Sequence, residues 1–189
     1  MSIYSPEEML SLGFRKLGRN VSISRKASIY GASNIEIGDS TRIDDFCVLS
    51  AGDGGFFIGR HVHLAVGCTL IGKGRIDVCD FAGISSRCSV YSSNDDYSGA
   101  YMTGPTLPAE YTNVTAAPVI VGRHVIIGAG SVVLPGVTIH DGVAVGSLSL
   151  VKKDCEAFGI YFGTPAKRIG RRKDDLLALE RRFLASDAS

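Results

Sequence analysis

The stretch Val121-Gly-Arg-His-Val-Ile-Ile127-Gly-Ala-Gly-Ser-Val-Val133-Leu-Pro-Gly-Val-Thr-Ile139 carries an aliphatic residue at every sixth position, and the series continues through Val145, Val151 and Ala157. Four places after each aliphatic stands a small or β-branched residue: Val125, Ser131, Val137, Val143, Ser149 and Cys155. Glycine often follows the aliphatic directly, as at Gly122, Gly128 and Gly146. A period of six fits neither a helix, at about 3.6, nor a long alternating strand, at about 2. It fits a short strand plus a sharp turn, repeated. Three such units make one coil of about 18 residues, and stacked coils pair as parallel strands about 4.8 Å apart.

Towards the N-terminus the same beat sounds at Ile23, Ile29 and Ile35, then at Ile37, Ile43 and Leu49. After the turn Gly52-Asp53-Gly54-Gly55 it resumes at Ile58, Leu64, Leu70, Ile76, Ala82 and Cys88. The aliphatics are expected to fill the interior, with Gly and Asp serving the bends. Cys47, Cys68 and Cys155 share the small interior register and Cys88 takes an aliphatic place, so these read as buried filler. Cys79 falls outside the register.

Three parts follow: a helical cap over 1–20, the coils over 21–170 with a loop at 91–118, and a C-terminal helix over 171–189. Ser5-Pro6-Glu7-Glu8 reads as a capping box with proline at the first helical position, and Gly13 as the stop. In the C-terminal segment Leu176, Leu177, Leu179, Phe183 and Leu184 are the candidate buried contacts. Both helices are expected to cover open coil edges, which otherwise invite further strand pairing.

The 189 residues carry 20 Lys+Arg against 19 Asp+Glu, a formal net charge of +1. That balance offers no broad basic field for nucleic acid and no basic tail for a membrane surface. With no apolar run near 18 residues and no signal-peptide core, the chain is expected to be cytoplasmic. Five cysteines without a Cys-x-x-Cys pair argue against a zinc ribbon or disulfide framework.

Between Val90 and Pro118 the repeat breaks. This segment holds Tyr91, Tyr97, Tyr101, Asn94, Asp95 and Asp96. Long excursions from regular folds usually carry function. Carboxylates and amides that bond hydroxyls, beside tyrosines that stack on sugar faces, suit a polyol.

The hexapeptide spacing resembles that of the hexapeptide-repeat acyltransferases, and this resemblance implies an all-β fold, a left-handed parallel β-helix. Three stretches carry it further: Ser92-Ser-Asn-Asp-Asp-Tyr-Ser-Gly99, the run from Val121 to Val137, and Gly163-Thr-Pro-Ala-Lys-Arg-Ile169. They are most similar to the sugar and xenobiotic acetyltransferase branch, and within it to acetyltransferases of O-antigen and capsule biosynthesis that act on nucleotide-linked amino sugars. The resemblance implies acetyl-CoA as donor and a homotrimer with active sites between neighbouring prisms. It places Ala129 and Ser147 on the pantetheine arm and Lys152, Lys153, Lys167 and Arg168 near the phosphates. No metal is implied.

One departure bears on the chemistry. Family members that acetylate sugar hydroxyls typically carry a histidine where the loop leaves the prism, and here that place reads Ser93-Asn94-Asp95. A hydroxyl attacking a thioester needs a base, whereas a neutral amine is nucleophilic by itself. An amino sugar is therefore the favoured acceptor. Asp95 and His63 are the candidates for handling the proton, with Asn94, Asp96 and Tyr97 on the sugar. His124 and His140 read as surface residues. The alternatives are O-acetylation of a sugar hydroxyl and, in another class, a non-catalytic β-helix scaffold.

Overall fold

The computed structural model describes residues 2–187. The chain winds as a left-handed parallel β-helix whose three sheets form the faces of a triangular prism. The six-stranded first face contains Ile35–Ile37, Phe56–Ile58, Ile76–Val78, Val119–Val121 and Thr138–Ile139 above Lys16–Leu17. The second face contains Arg42–Ile43, His63–Leu64, Gly83–Ile84, Ile126–Ile127 and Ala144–Val145, and ends in the hairpin Gly159–Gly163 and Ala166–Arg171. The third contains Ser28–Tyr30, Val48–Ala51, Thr69–Gly72, Ser89–Tyr91, Val132–Val133 and Leu150–Val151. Inward side chains of all three meet in one core, in which Ile43, Leu64, Leu70, Ile127, Val133 and Ile139 are fully buried.

The coils are not all of one length. Glu36 pairs with Phe57 and Phe57 with Asp77, steps of 21 and 20 residues, whereas beyond the loop Ile120 pairs with Thr138, a step of 18. The longer coils put their extra residues at the third corner, between the third and first faces, where Gly31 and Gly55 adopt φ of 69° and 72°. This corrects the register expected before the loop. Val78, Ile84 and Val90 lie beside Ile58, Leu64 and Leu70, the places expected for Ile76, Ala82 and Cys88.

Cys88 instead belongs to the small-residue column of the second corner, between the second and third faces. Cys47, Cys68 and Cys88 there turn their thiols to the carbonyls of Ala65, Ser85 and Gly128, at 3.2, 3.0 and 3.1 Å. Ser131 continues the series to Gly146 O at 3.1 Å. Cys155 leaves the small register and bridges to Ile139 on the first face. Burial pushes the Cys155 thiol up to about 11 and raises that of Cys88, which suits filler and not a nucleophile.

At the first corner, between the first and second faces, Arg and Asp alternate coil by coil: Arg19, Asp39, Arg60, Asp80, Arg123, Asp141. The amides of Arg19, Arg60 and Arg123 donate to Asp39, Asp80 and Asp141 one coil on, at 2.8, 2.7 and 2.8 Å. Glycine precedes each arginine for a steric reason. A Cβ on Gly59 would stand 2.4 Å from the Asp80 carboxylate and 2.7 Å from its amide nitrogen. Cys79 occupies the same place as these glycines, its amide donating to Val121 O as that of Gly59 does to Val78 O. Beside the ladder, His61, Phe81 and His124 stack ring on ring, at 5.0 and 5.1 Å between centroids.

The N-terminal helix α1, Pro6–Ser11, has the expected capping box: Ser5 and Glu8 each accept from the other's amide, at 3.3 and 2.7 Å, and Met9 is buried. The C-terminal segment departs from expectation. Ala166–Arg171 is a strand antiparallel to Gly159–Gly163, and helix α2 spans Leu176–Asp187. It lies along the first corner instead of over a coil edge. Arg172 Nη1 donates to the carbonyls of His124 and Gly142, at 2.7 and 3.2 Å, and Phe183 stands edge-on to His61 and Phe81. Leu179 and Phe183 stay exposed, Leu176, Leu177 and Leu184 are half-buried, and among the described residues of the helix only Glu180 is buried, held by Arg123 and His124. The groove that α2 meets is lined with donors, so it takes a carboxylate where the leucine pattern suggested an apolar seam. Residues 188 and 189 of the expected helix lie outside the described residues.

Candidate active site

Strand alternation turns Arg42, His63, Gly83, Ile126 and Ala144 outward in one row across the second face, each in register with the next. His63 Nε2 lies 2.9 Å from Asp44 Oδ2, and Arg42 Nε donates to Asp44 Oδ1 at 2.7 Å. Burial opposes ionisation of Asp44, but the hydrogen bonds from His63 and Arg42 outweigh it and hold the carboxyl below the ordinary range. Next in the row, Gly83 leaves a gap: a Cβ built there meets nothing within 4 Å.

Two residues on from Gly83, Ser85 begins the second corner. Its amide donates to Ile127 O at 2.9 Å and its carbonyl receives the Cys68 thiol, while its hydroxyl bonds nothing among the described residues. The sequence reading missed Ser85 because it counts Ala82 as an aliphatic place, two residues short of Ile84, and so puts the small-residue place four on at Ser86.

At the same corner Ser86, Ala129 and Ser147 stack in successive coils: Gly130 N donates to Ser86 O and Leu148 N to Ala129 O. Among the described residues the amides of Ala129 and Ser147 donate to nothing, so two N–H groups face outward along one edge. Such an edge suits an extended amide-bearing arm, or an oxyanion. The terminal hairpin is stitched to the top of this corner. Gly163 N donates to Ser149 Oγ at 3.0 Å and Thr164 Oγ1 to Leu148 O at 3.1 Å. Lys167 stands opposite Phe162 on that hairpin, while Lys152 and Lys153 lie at the third corner. Arg168 is paired to Glu156 at 2.7 Å. The four cations expected near phosphates therefore do not form one cluster.

The loop springs from the third corner, where Ser93–Asn94 pairs antiparallel with Thr115–Ala116. Asp96 folds its carboxylate onto Ser98 and the amide of Gly99, at 2.9 to 3.1 Å, and so holds a turn. Asn94 is half-buried in the ladder, Asp95 is exposed with no side-chain partner among the described residues, and Tyr97 is 90% exposed. No hydrogen bond or ion pair among the described residues joins 94–114 to the second face. Asp95 therefore follows the ladder at the third corner while His63 lies on the second face, with no hydrogen bond or ion pair between them among the described residues.

Of the other histidines, His140 is exposed, but His124 is drawn under α2, its side chain 13% exposed, contrary to the expected surface place. A hollow of about 510 Å³ on the first face contains none of the row. Arg75, in its wall, lies over Phe57 and is paired to Asp77, leaving that cation engaged. Among the described residues no three His, Cys, Asp or Glu gather to hold a metal, and no helix is long and apolar enough to cross a membrane.

Comparison with known proteins adds to this geometry. Residues 118–153 match the family described as bacterial transferase hexapeptide, six repeats. The chain is 54% identical over 179 residues to the Escherichia coli dTDP-4-amino-4,6-dideoxy-D-glucose acyltransferase, covering 95% of this chain and 93% of that one. It is similar to AntD, an N-acyltransferase from Bacillus cereus solved in complex with dTDP and 3-hydroxybutyryl-CoA. There the TM-score is 0.94 and the identity 47%, over 100% of this chain and 99% of the other. A serine mutant of AntD, solved with dTDP-4-amino-4,6-dideoxyglucose and Coenzyme A, gives 0.93 and 46% over 98% of both chains.

Proposed function

The chain belongs to the hexapeptide-repeat acyltransferases, and from that premise we propose that it transfers an acyl group from a coenzyme A thioester to the amine of a nucleotide-linked amino sugar. The observation that carries this reading is near full-length similarity to proteins whose acceptor is a dTDP-linked 4-amino sugar. The loop supports it from this chain's own residues: no histidine stands at its base, and the free carboxylate there, Asp95, suits an ammonium or amine. We assign acetyl as the acyl group, with the exposed amides of Ala129 and Ser147 along the pantetheine arm and Lys167 near the phosphates. Lys152, Lys153 and Arg168 follow as outer cations. Asn94, Asp96 and Tyr97 are assigned to the sugar, Asp96 acting through the turn it holds.

The mechanism is addition–elimination. The amine nitrogen attacks the thioester carbon, the N–C bond forms, the oxyanion meets a corner amide, and the C–S bond breaks. The proton lost by nitrogen ends on sulfur. Asp95 orients the amine, and His63 takes the proton in between.

We further assign a homotrimer with each site between two copies. Two features support it: Asp95 follows the third-corner ladder while His63 lies on the second face, and the strands of the third face contain no charged residue. A sheet face without charge, between the loop corner and the second corner, is suited to burial against another copy. A place in O-antigen or capsule synthesis, and in the cytoplasm where acyl-CoA and nucleotide sugars are available, completes the reading.

The test is acetyl-CoA consumption with mass spectrometry of the products, using a dTDP-linked 4-amino sugar beside the matching hydroxyl sugar. One added acetyl on the amino sugar alone is the expected result. Turnover on the hydroxyl sugar only overturns the amine assignment.

A further inference from the structure

Asp44 is a coil away from His63 in the sequence, and nothing in the hexapeptide pattern singles it out. In the fold it is the one carboxylate bonded to the His63 ring among the described residues, itself gripped by Arg42. An ionised carboxylate only accepts hydrogen bonds. His63 Nε2 must then carry the hydrogen of the neutral ring, which leaves Nδ1 as its lone-pair nitrogen. Arg42 keeps Asp44 from turning away, and with a side chain 14% exposed Asp44 is shielded from competing water.

The second observation is Gly83. His63 pairs with Gly83 and Gly83 with Ile126, so the outward position between the imidazole and the Ile126 side chain has no side chain at all. Gly83 has no need of glycine's backbone freedom, since its φ is not positive, and an added Cβ meets no atom within 4 Å. The missing side chain opens a recess in the sheet between His63 and Ile126, two residues along the chain from Ser85.

We propose that Asp44 is a positioning residue for acyl transfer, fixing His63 as the Nε2–H tautomer, and that the recess at Gly83 admits the reacting amine to His63 Nδ1. This rests on the acyltransferase reading above. In the step, the neutral amine forms the N–C bond to the thioester carbon and gives one proton to Nδ1. The C–S bond then breaks, and the same proton passes to the thiolate.

The experiment uses the full-length protein with acetyl-CoA and a dTDP-linked 4-amino sugar. Asp44→Asn is expected to keep the melting temperature within a few degrees and both KM values within about twofold. Its kcat should fall about tenfold or more, a part of what a general base contributes. Nitrogen-15 spectra of the histidine rings should show the His63 single-tautomer pattern in the parent and a mixture in Asp44→Asn. Asp44→Glu should recover part of the loss. Gly83→Val should leave the melting temperature unchanged and raise the acceptor KM at least several-fold, with the acetyl-CoA KM unchanged. Unaltered kcat and an unaltered tautomer in Asp44→Asn overturn the positioning role, and normal acceptor KM in Gly83→Val overturns the recess. Full turnover in His63→Ala is a separate outcome, and it removes His63 as the proton acceptor on which both depend.

Discussion

Glu180 of the C-terminal helix sets its Oε2 2.9 Å from Nε2 of His124, a residue 56 positions earlier whose ring stacks on Phe81. Its other oxygen takes the Arg123 guanidinium. This one carboxylate joins α2 to both the ring stack and the charge ladder of the first corner.

Glu180→Gln should therefore cost about 2 kcal/mol of stability, since a charged hydrogen-bonded group is replaced by a neutral one in a buried place. Differential scanning calorimetry checks it. The hydrogen bond from His124 chiefly, with Arg123 adding, holds the Glu180 carboxyl below its ordinary value. A depressed acid contributes stability that is full above the unfolded value and drains away as pH falls through the folded one. The gap between parent and Glu180→Gln should close on acidification below the ordinary glutamate range, and an unchanged gap there would contradict the assignment.

Two glycine substitutions should part company. Gly59→Ala drives a Cβ against the carboxylate and backbone of Asp80, and it should cost about 1–3 kcal/mol as an overpacked site. Gly83→Ala adds a methyl to open space and should leave denaturant midpoints unmoved. Equal effects at the two positions would mean that the coil spacing relaxes more than close packing allows.

Asp95→Asn and His63→Ala should each lower kcat by about a hundredfold with little loss of folding. Mixing the two variants as subunits gives the sharper result. If each site draws Asp95 from one copy and His63 from another, co-expressed subunits should regain activity well above that of either variant alone. No recovery, with mixed oligomers verified by mass spectrometry, would place both residues in one copy's site.

Lys167→Ala should raise the acetyl-CoA KM several-fold and leave the acceptor KM alone, while Lys152→Ala, at the opposite corner, should do less. Initial-rate measurements with each substrate varied separate the two. Similar effects would argue that one phosphate-binding cluster forms only in the assembled protein.

Much of the prism was legible in the chain. From Val121 to Val151 the aliphatic beat is unbroken, because every coil there has the same length. Before the loop the third corner is longer by two or three residues, and since inward and outward places are counted along the chain, the slip displaced Ile76, Ala82 and Cys88 from their true columns. It also hid Ser85. Asp44 beside His63, and α2 along the first corner, escaped for a different reason. Each depends on residues brought together by stacking coils or by the return of the chain, and neither leaves a spacing to read. The loop was visible as an interruption, but its letters left Asp96 open between an Asx-type turn and a sugar contact, because a carboxylate that binds its own backbone has the same letter as one that binds a sugar.

The ladder of Arg19, Asp39, Arg60, Asp80, Arg123 and Asp141 also sets a parity rule on how such a molecule can grow. Inserting one coil would seat arginine against arginine, with the lower arginine's amide deprived of its acceptor, or aspartate against aspartate at the splice. Inserting two would keep every neighbour of opposite sign. Duplication of coil pairs is therefore the low-strain route by which this prism lengthens, and a single-coil deletion is the most direct way to make its two halves repel.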